Sequence, residues 1–383
     1  MTAWRTATTL AGHIASSWQG GPGGAFLLFD TDRVQATVYG GLASLEHGQS
    51  FTPDTPSRYA SISKQMLATC LLLEGIELEV PLGTLLPGLP DAFAAVPLGR
   101  ALDMTGGLPD MMELQWQLGV PFTATLTAEE VGATLHRLRA ACTPPGVEMA
   151  YSNTGWRLGQ AVLERQAGVP YAELLKRRLF GPLDLAMAFP YDEAEPDEDP
   201  LLPALRVMAA LLGEPPPEPA PDLPAGLYAA ADGPAWAEVH PGAIEFMGAR
   251  ETLLASGGRV RSIPSTLEMD LSVAAGAIEG TIGGVARRLR RVPDGLALDP
   301  ALAGAWREEV FGAELTISGD GAARWPWMGS LGREVALTPL PGGRALADLQ
   351  HLMWRHRPCI WLDADGSLRV ASHRARVLRF QRV

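Results

Sequence analysis

Two short runs near the start of the chain, Gly24–Asp30 (Gly-Ala-Phe-Leu-Leu-Phe-Asp) and Arg33–Gly40 (Arg-Val-Gln-Ala-Thr-Val-Tyr-Gly), are apolar or alternating and flank a polar Thr31-Asp32 turn, which predicts a β-hairpin. The period then changes to that of a helix. Ser61–Glu74 is apolar at helical spacing and stops at Gly75. Thr127 and Glu130 form a capping box ahead of a helix to about Arg139, and further helices are expected from Thr154 to about Gln166 and from Tyr171 to Phe180. Beyond residue 224 the pattern is one of short strands. Thr266–Val273 alternates strictly, with Leu267, Met269, Leu271 and Val273 on one face and Glu268, Asp270 and Ser272 on the other. Turn signals at Asp232-Gly233, Pro241-Gly242, Gly257-Gly258, Asp294-Gly295, Gly319–Gly321, Gly342-Gly343 and Asp365-Gly366 punctuate this half and predict an all-β region.

A weak repeat divides that region. Ala225-Gly-Leu-Tyr228 and Ala303-Gly-Ala-Trp306 each open a segment that closes rich in arginine, at Ala286–Val292 and Ala375–Val383. Two small antiparallel barrels in series are therefore expected. Between the halves lie the acidic stretch Asp192–Pro200 and the proline run Glu214–Asp222, which reads as a stiff linker. The domains expected are 1–200, a linker over 201–224, a first barrel over 225–298 and a second over 299–383.

Composition narrows the class. The 383 residues are 47% hydrophobic and 19% charged, and no stretch reaches the roughly 20 apolar residues of a membrane span. The first 20 residues lack the apolar core of a signal peptide, so a cytoplasmic protein without a membrane partner is expected. Residues 1–200 carry 23 acids against 12 bases, and 201–383 carry 20 against 19, within a net charge of −12. Such a balance does not seek nucleic acid. Cys70, Cys142 and Cys359 have no metal-ligand spacing and are expected as buried thiols, and no metal or other cofactor is expected. Two lysines, Lys64 and Lys176, stand against 29 arginines, so a lysine at 64 points to a role needing an amine that can lose its proton.

That lysine sits in Ser61-Ile-Ser-Lys64. Three residues apart on a predicted helix, the serine and lysine share one face, where a desolvated amine can take the serine's proton as it attacks a carbonyl. Tyr151-Ser-Asn153 follows 90 residues after Ser61, just before a helix. Tyr151 offers a phenol as a second proton carrier, and Asn153 a donor and an acceptor for a substrate, or a helix N-cap. Tyr59–Gln65, the Leu98–Asp110 stretch with Met104-Thr-Gly-Gly-Leu-Pro-Asp110, and Tyr151-Ser-Asn-Thr-Gly155 resemble the three landmarks of serine β-lactamase-like hydrolases of the class C and D-aminopeptidase type. Pro144-Pro-Gly146 and Phe180-Gly-Pro-Leu183 match as well.

Within that superfamily the chain is similar to the three-domain D-aminopeptidases, in which a catalytic domain precedes two antiparallel barrels; Met247–Glu251 fits the same likeness. The resemblance implies an α/β serine β-lactamase-like domain, a sheet plus a helical lobe, followed by two small antiparallel barrels. It implies hydrolysis of peptides or amides with an amino-terminal D-residue. Ser61 would be acylated, Lys64 and Tyr151 would move protons, and Asn153 would hold the substrate. A non-catalytic ligand-binding relative and an esterase or β-lactamase are the alternatives, and a homodimer is left open. Family members carry Lys-Thr-Gly or His-x-Gly on a returning edge strand, and this chain runs from the helical lobe almost directly into the acidic stretch. Its one His-x-Gly is His240-Pro241-Gly242, which reads either as substrate-binding, with His240 on a carboxylate and the Gly242 N–H toward an oxyanion, or as an ordinary hairpin turn. In that family a loop of the last domain reaches the site, and the loop near Pro339–Leu349 is the counterpart expected here.

Overall fold

The computed structural model describes residues 2–57, 59–120, 127–185, 187, 218–219, 223–256, 259–263, 267–274, 276–326, 333–350 and 355–383. The acidic stretch, nearly all of the proline run, Gly257-Gly258 and Thr266 lie outside the described residues. The chain divides into two compact units: Met1–Ser63 with Ala186–Pro219 and Leu254–Ser256, and Lys64–Leu185 with Ala220–Leu253 and Gly257–Val383.

In the first unit, helix α1 (Thr2–Ser17) packs on the predicted hairpin, β1 (Gly24–Phe29) and β2 (Val34–Gly40). The strands pair from Gly24 with Gly40 to Phe29 with Val34, and Asp30 closes the turn by accepting from the N–H groups of Asp32 and Arg33 at 2.9 and 3.0 Å. Ala7, Ala11 and Leu28 form a small core, with Phe26, Ala36 and Val38 beside it. A Cβ at Gly40 would lie 2.4 Å from the Ala15 carbonyl oxygen, so glycine permits helix and strand to touch there. Short strands β3 (Leu42–Ser44) and β4 (Gln49–Ser50) follow, and β5 (Glu218–Pro219) pairs with Leu254 and Ala255. A 3-10 turn over Ala60–Ser63 ends the segment. Among the described residues, the sheet expected in this part is the two-stranded β1–β2 hairpin, and its outer face leaves Leu27, Phe29, Val34 and Tyr39 exposed.

The second unit opens with helices α2 (Lys64–Leu73), α3 (Leu82–Leu85), α4 (Asp91–Ala94), α5 (Leu98–Leu102), α6 (Met111–Gln117), α7 (Ala128–Arg137), α8 (Asn153–Ala167) and α9 (Tyr171–Leu175), the last continuing as a π-turn over Lys176–Phe180. The capping box is present: Thr127 Oγ1 accepts from the Glu130 N–H, and Glu130 accepts from the Thr127 N–H at 2.7 Å. Helix α8 lies against α5 because residue 155 is glycine; a Cβ there would fall 2.0 Å from the Ala101 carbonyl oxygen.

The strands make two barrels. In the first, β6 (Gly226–Ala229), β7 (Trp236–His240), β8 (Ala243–Phe246), β9 (Ala249–Ser256), β10 (Arg259–Ser262), β11 (Met269–Ala274), β12 (Ala277–Ile282) and β13 (Val285–Arg291) pair in chain order, and β13 returns to β6. The alternation expected over Thr266–Val273 holds from Leu267 to Ser272, with Leu267, Met269 and Leu271 buried and Glu268, Asp270 and Ser272 not, while Val273 is half-buried. In the second barrel, β14 (Gly304–Glu308), β15 (Glu314–Ile317), β16 (Ala322–Trp325), β17 (Arg333–Leu340) and β18 (Arg344–Ala347) lead, past the small β19 (Leu349–Gln350) and β20 (Arg355–His356) pair, to β21 (Cys359–Leu362), β22 (Leu368–Ala371) and β23 (Leu378–Arg382), which closes on β14.

The repeat has a physical basis. Each barrel opens on a glycine at φ near +140°, Gly226 at 142° and Gly304 at 144°; an added Cβ would touch Arg291 at the first and clash with Arg382 at the second, the arginines that close the barrels. Two residues on, a fully buried aromatic bonds a carbonyl four residues before it: Tyr228 Oη to Pro224 at 2.9 Å, Trp306 Nε1 to Leu302 at 2.9 Å. Strand register pairs Tyr228 with Arg291 and Trp306 with Arg382, and the Arg382 guanidinium lies 4.3 Å from the Trp306 ring centroid. The second barrel and the helices share one apolar core, from Leu67, Leu71 and Leu163 to Trp306, Leu337 and Phe380. Trp325 belongs to that core and donates to the Gln117 carbonyl at 2.9 Å. Cys70 and Cys359 are buried, and Cys142 is partly so. Lys176 is solvent-facing, and neighbouring Arg178 pairs with Glu74 at 2.6 Å. No helix among the described residues is long and apolar enough to cross a membrane.

Candidate active site

Ser61 lies on the 3-10 turn Ala60–Ser63, with its residue exposed. The turn is held by the Ile62 N–H on the Tyr59 carbonyl at 2.8 Å and by Ser63 Oγ on the Ala60 carbonyl at 2.6 Å. Ala60 adopts φ +40°, a left-handed value that costs an L-residue about 1 kcal/mol and bends the chain immediately before Ser61. Helix α2 begins at Lys64, so the predicted helix over Ser61–Glu74 is in fact a 3-10 turn followed by an α-helix.

The tyrosine motif is brought to α2 by packing inside the second unit. Lys64 Nζ lies 2.9 Å from Tyr151 Oη and 5.0 Å from the ring centroid. Tyr151 sits in the extended segment entering α8, which is pinned on both sides. The Ala150 N–H donates to the Met104 carbonyl at 3.0 Å, and the Met149 N–H to the Gly283 carbonyl of the first barrel at 3.0 Å. Met104 has φ +65°, which turns the Met104-Thr-Gly-Gly segment toward this strand. The N-cap of α8 is Ser152, whose hydroxyl accepts from the Thr154 N–H at 3.3 Å, so the cap expected at Asn153 falls one residue earlier. Asn153 stands on the first turn instead, its N–H donating to Asp110 at 2.8 Å and its amide Nδ2 3.6 Å from Met112 Sδ.

Asp110 is fully buried and joins the motifs. Its carboxylate caps α6 through the Glu113 N–H at 3.0 Å, receives the Asn153 N–H, and pairs with Arg374 Nη2 at 3.0 Å. Arg374 comes from the β22–β23 connection. It donates from Nε to the Tyr151 carbonyl at 2.7 Å, and its guanidinium carbon lies 5.1 Å from the Tyr151 ring centroid. Lys64 and Arg374 thus both lie against that ring. Glu113 lies behind them, 3.6 Å from Arg374 Nε and 3.3 Å from His356 Nδ1. Burial pushes the Glu113 carboxyl up to about 7, and nearby Arg374 only partly opposes the rise. On the other side of the connection, burial raises Glu148, but hydrogen bonds from Arg376 at 2.9 and 3.0 Å and the charge of Arg287 bring it below the usual carboxylate range. His373 between them is held at about 3, by burial first and then by the Arg376 charge, and so is neutral.

The structure therefore brings together Lys64, Tyr151 and Asn153 of the expected site residues. His240 and Gly242 lie elsewhere in the first barrel, where Pro241-Gly242 forms the two-residue turn between β7 and β8. His240 Nε2 is 4.0 Å from Glu238 and 3.9 Å from Glu245, which face each other across the strands, and Arg357 pairs with Glu238. Among the described residues these three side chains are the group that could hold a metal ion, their ligand atoms lying within 4.8 Å of one another. The stretch Pro339–Leu349, expected as a loop, is mostly the β17–β18 hairpin, and its Arg344 binds the Ala230 and Gly233 carbonyls of the first barrel; the contact with Tyr151 comes from Arg374. Sequence reasoning missed Arg374, Glu113 and Glu148. Asp110 followed by Glu113 carries the spacing of a helix cap, a usable signal, whereas Arg374 is one arginine in an arginine-rich tail.

Among known proteins, the chain is 31% identical over 170 residues to a D-aminopeptidase of Brucella anthropi, covering 44% of this chain and 32% of the relative. A D-aminopeptidase of Gluconobacter oxydans is 29% identical over 171 residues, with 44% and 32% covered. The chain thus spans about a third of the length of the curated relatives it matches. A solved D-amino acid amidase from Ochrobactrum anthropi, in complex with L-phenylalanine, has 19% identity and a TM-score of 0.40, covering 75% of this chain and 91% of that one. The family model described as Beta-lactamase matches residues 10–301, across all the landmark motifs and the first barrel, and the chain belongs to the beta-lactamase family.

Proposed function

We propose that the protein is a cytoplasmic serine hydrolase that works through an acyl-enzyme on Ser61 and releases amino-terminal D-residues from small peptides or amides. The 2.9 Å approach of Lys64 Nζ to Tyr151 Oη carries this reading, because it joins two sequence motifs in a proton-transfer pair next in the chain to Ser61. In the reaction, Ser61 Oγ bonds to the scissile carbonyl carbon and its proton passes to the Lys64–Tyr151 pair. The tetrahedral intermediate collapses, the C–N bond breaks, and the pair returns the proton to the leaving amine. Water then repeats the sequence on the ester, frees the acid and restores Ser61. The D-aminopeptidase relatives support the choice of substrate.

The test uses a fluorophosphonate probe and D-alanine p-nitroanilide. A covalent adduct on Ser61 and release of nitroaniline, both absent in Ser61→Ala, are expected. No adduct on well-folded protein would overturn the proposal. Turnover of an ester or a β-lactam but not of the anilide would keep the acyl-enzyme and change the substrate. One observation favours a non-catalytic, ligand-binding relative: the His-x-Gly of the chain occupies a barrel hairpin with its histidine beside Glu238 and Glu245. Ser61-dependent turnover removes that alternative.

A further inference from the structure

Arg374 belongs to the second barrel, yet the described polar partners of its side chain are Tyr151, Asp110 and Glu113. Nε approaches two of these groups and Nη2 the third. Nε meets the carbonyl of Tyr151 at 2.7 Å, and Nη2 meets Asp110 at 3.0 Å, while the guanidinium carbon lies 5.1 Å from the centroid of the Tyr151 ring, against which Lys64 Nζ also lies, at 5.0 Å. The backbone adds a reciprocal bond, the Asp110 N–H donating to the Arg374 carbonyl at 2.8 Å. Asp110 in turn receives the Asn153 N–H at 2.8 Å. One side chain therefore fixes the backbone of Tyr151, the plane of its ring, and the anchor of Asn153.

The connection that carries Arg374 is itself rigid. Gln117 Nε2 of α6 donates to Ser372 Oγ at 2.8 Å and to the Ala375 carbonyl at 3.0 Å, the His373 N–H donates to the Met247 carbonyl at 3.1 Å, and Arg376 forks onto buried Glu148. A lysine would keep the charge and lose the planar fork that reaches carbonyl and carboxylate together.

We infer that Arg374 is a positioning residue of the proposed hydrolase, through which the C-terminal barrel holds Tyr151 and Asn153 in register with Lys64. It acts through Tyr151 and Asp110 and rests on the reading of Ser61 as nucleophile. Removing a support of this kind costs about 100-fold in rate when the reacting groups shift by an ångström.

The experiment follows the rate of fluorophosphonate labelling at Ser61 in the full chain, with melting temperature as the folding control. Arg374→Ala and Arg374→Lys are expected to label about 100-fold more slowly than the parent. Guanidinium ion, at concentrations that leave the melting temperature unchanged, is expected to restore part of the Arg374→Ala rate and none of the Tyr151→Phe rate. Labelling of both arginine variants within threefold of the parent overturns the inference, and so does a slow Arg374→Ala that guanidinium does not accelerate. If Arg374→Ala does not fold, Arg374→Lys decides alone, a parental rate overturning the inference. If the parent itself takes no label, the hydrolase reading fails instead. Hydrogen exchange at the Asn153 amide then decides the positioning role: faster exchange in Arg374→Lys, with that of α2 unchanged, supports it, and an unchanged Asn153 overturns it.

Discussion

Tyr151 Oη and Lys64 Nζ, 2.9 Å apart, make the sharpest demands on single side chains. Tyr151→Phe keeps the ring against Lys64 and Arg374 and removes only the hydroxyl that the proposed reaction uses as a proton carrier. Fluorophosphonate labelling of Ser61 is expected to fall by about 100-fold with little change in melting temperature, since general acid–base groups contribute on this scale. Lys64→Arg should lose at least as much, because arginine holds its proton. Glu113 and His373 set opposite pH dependences on stability. Glu113 binds a proton more tightly when folded, up to about 7, so it lowers stability as pH rises from about 4.5 to 7, by on the order of 3 kcal/mol. His373, held at about 3, must take up a proton on unfolding below pH 6.5, so its contribution to stability shrinks as pH falls toward 3. In Glu113→Gln the first slope disappears. Urea midpoints for that variant are expected to rise more steeply with pH between 4.5 and 6.5 than those of the parent, and to stop falling between 6.5 and 7. A profile that parallels the parent would contradict the assignment.

At the scale of elements, glycines separate close packing from simple helix propensity. A Cβ at residue 155 meets the Ala101 carbonyl oxygen at 2.0 Å, whereas one at Gly132 in α7 has nothing within 4 Å. Gly155→Ala is expected to destabilise by about 3 kcal/mol, from overpacking of α8 on α5, and Gly132→Ala to stabilise by about 0.5–1 kcal/mol. Thr127→Ala removes the cap of α7 and should cost about 1 kcal/mol. Urea unfolding of the three variants checks the signs and their order. The α7 cap, the β1–β2 hairpin and the faces of β11 were legible because each depends on residues close in sequence. The start of α2 was not: Ser61–Ser63 has helical spacing, and the positive φ of Ala60 with the bonds around it tightens that turn into 3-10 geometry. The α8 cap shifted similarly, since Ser152 and Asn153 are both good caps and the Asn153 N–H is claimed by Asp110.

For the whole molecule, the core shared between the helices of the second unit and the second barrel predicts that they unfold together. Trp306→Ala removes a fully buried ring, its bond to the Leu302 carbonyl and the contact with Arg382, and should cost about 3–5 kcal/mol. Helical ellipticity near 222 nm and near-ultraviolet tryptophan signals are then expected to shift to lower urea by the same amount. Separate transitions would show that the barrel folds by itself.

The sequence by itself determined the order of the motifs, the serine–lysine and tyrosine–asparagine residues of the candidate site, the two-barrel repeat and the family they resemble, because each of these is written in residue type and short spacing. Tertiary structure alone decided which distant groups complete the arrangement: Asp110 as the link between α6 and α8, Arg374 on Tyr151, buried Glu113 beside His356, and His240 in a barrel turn among carboxylates. The physical reason is the same in each case. A charge is buried only where partners from other segments solvate it, and the chain pattern around Arg374 or Glu113 contains no trace of the segments that do so.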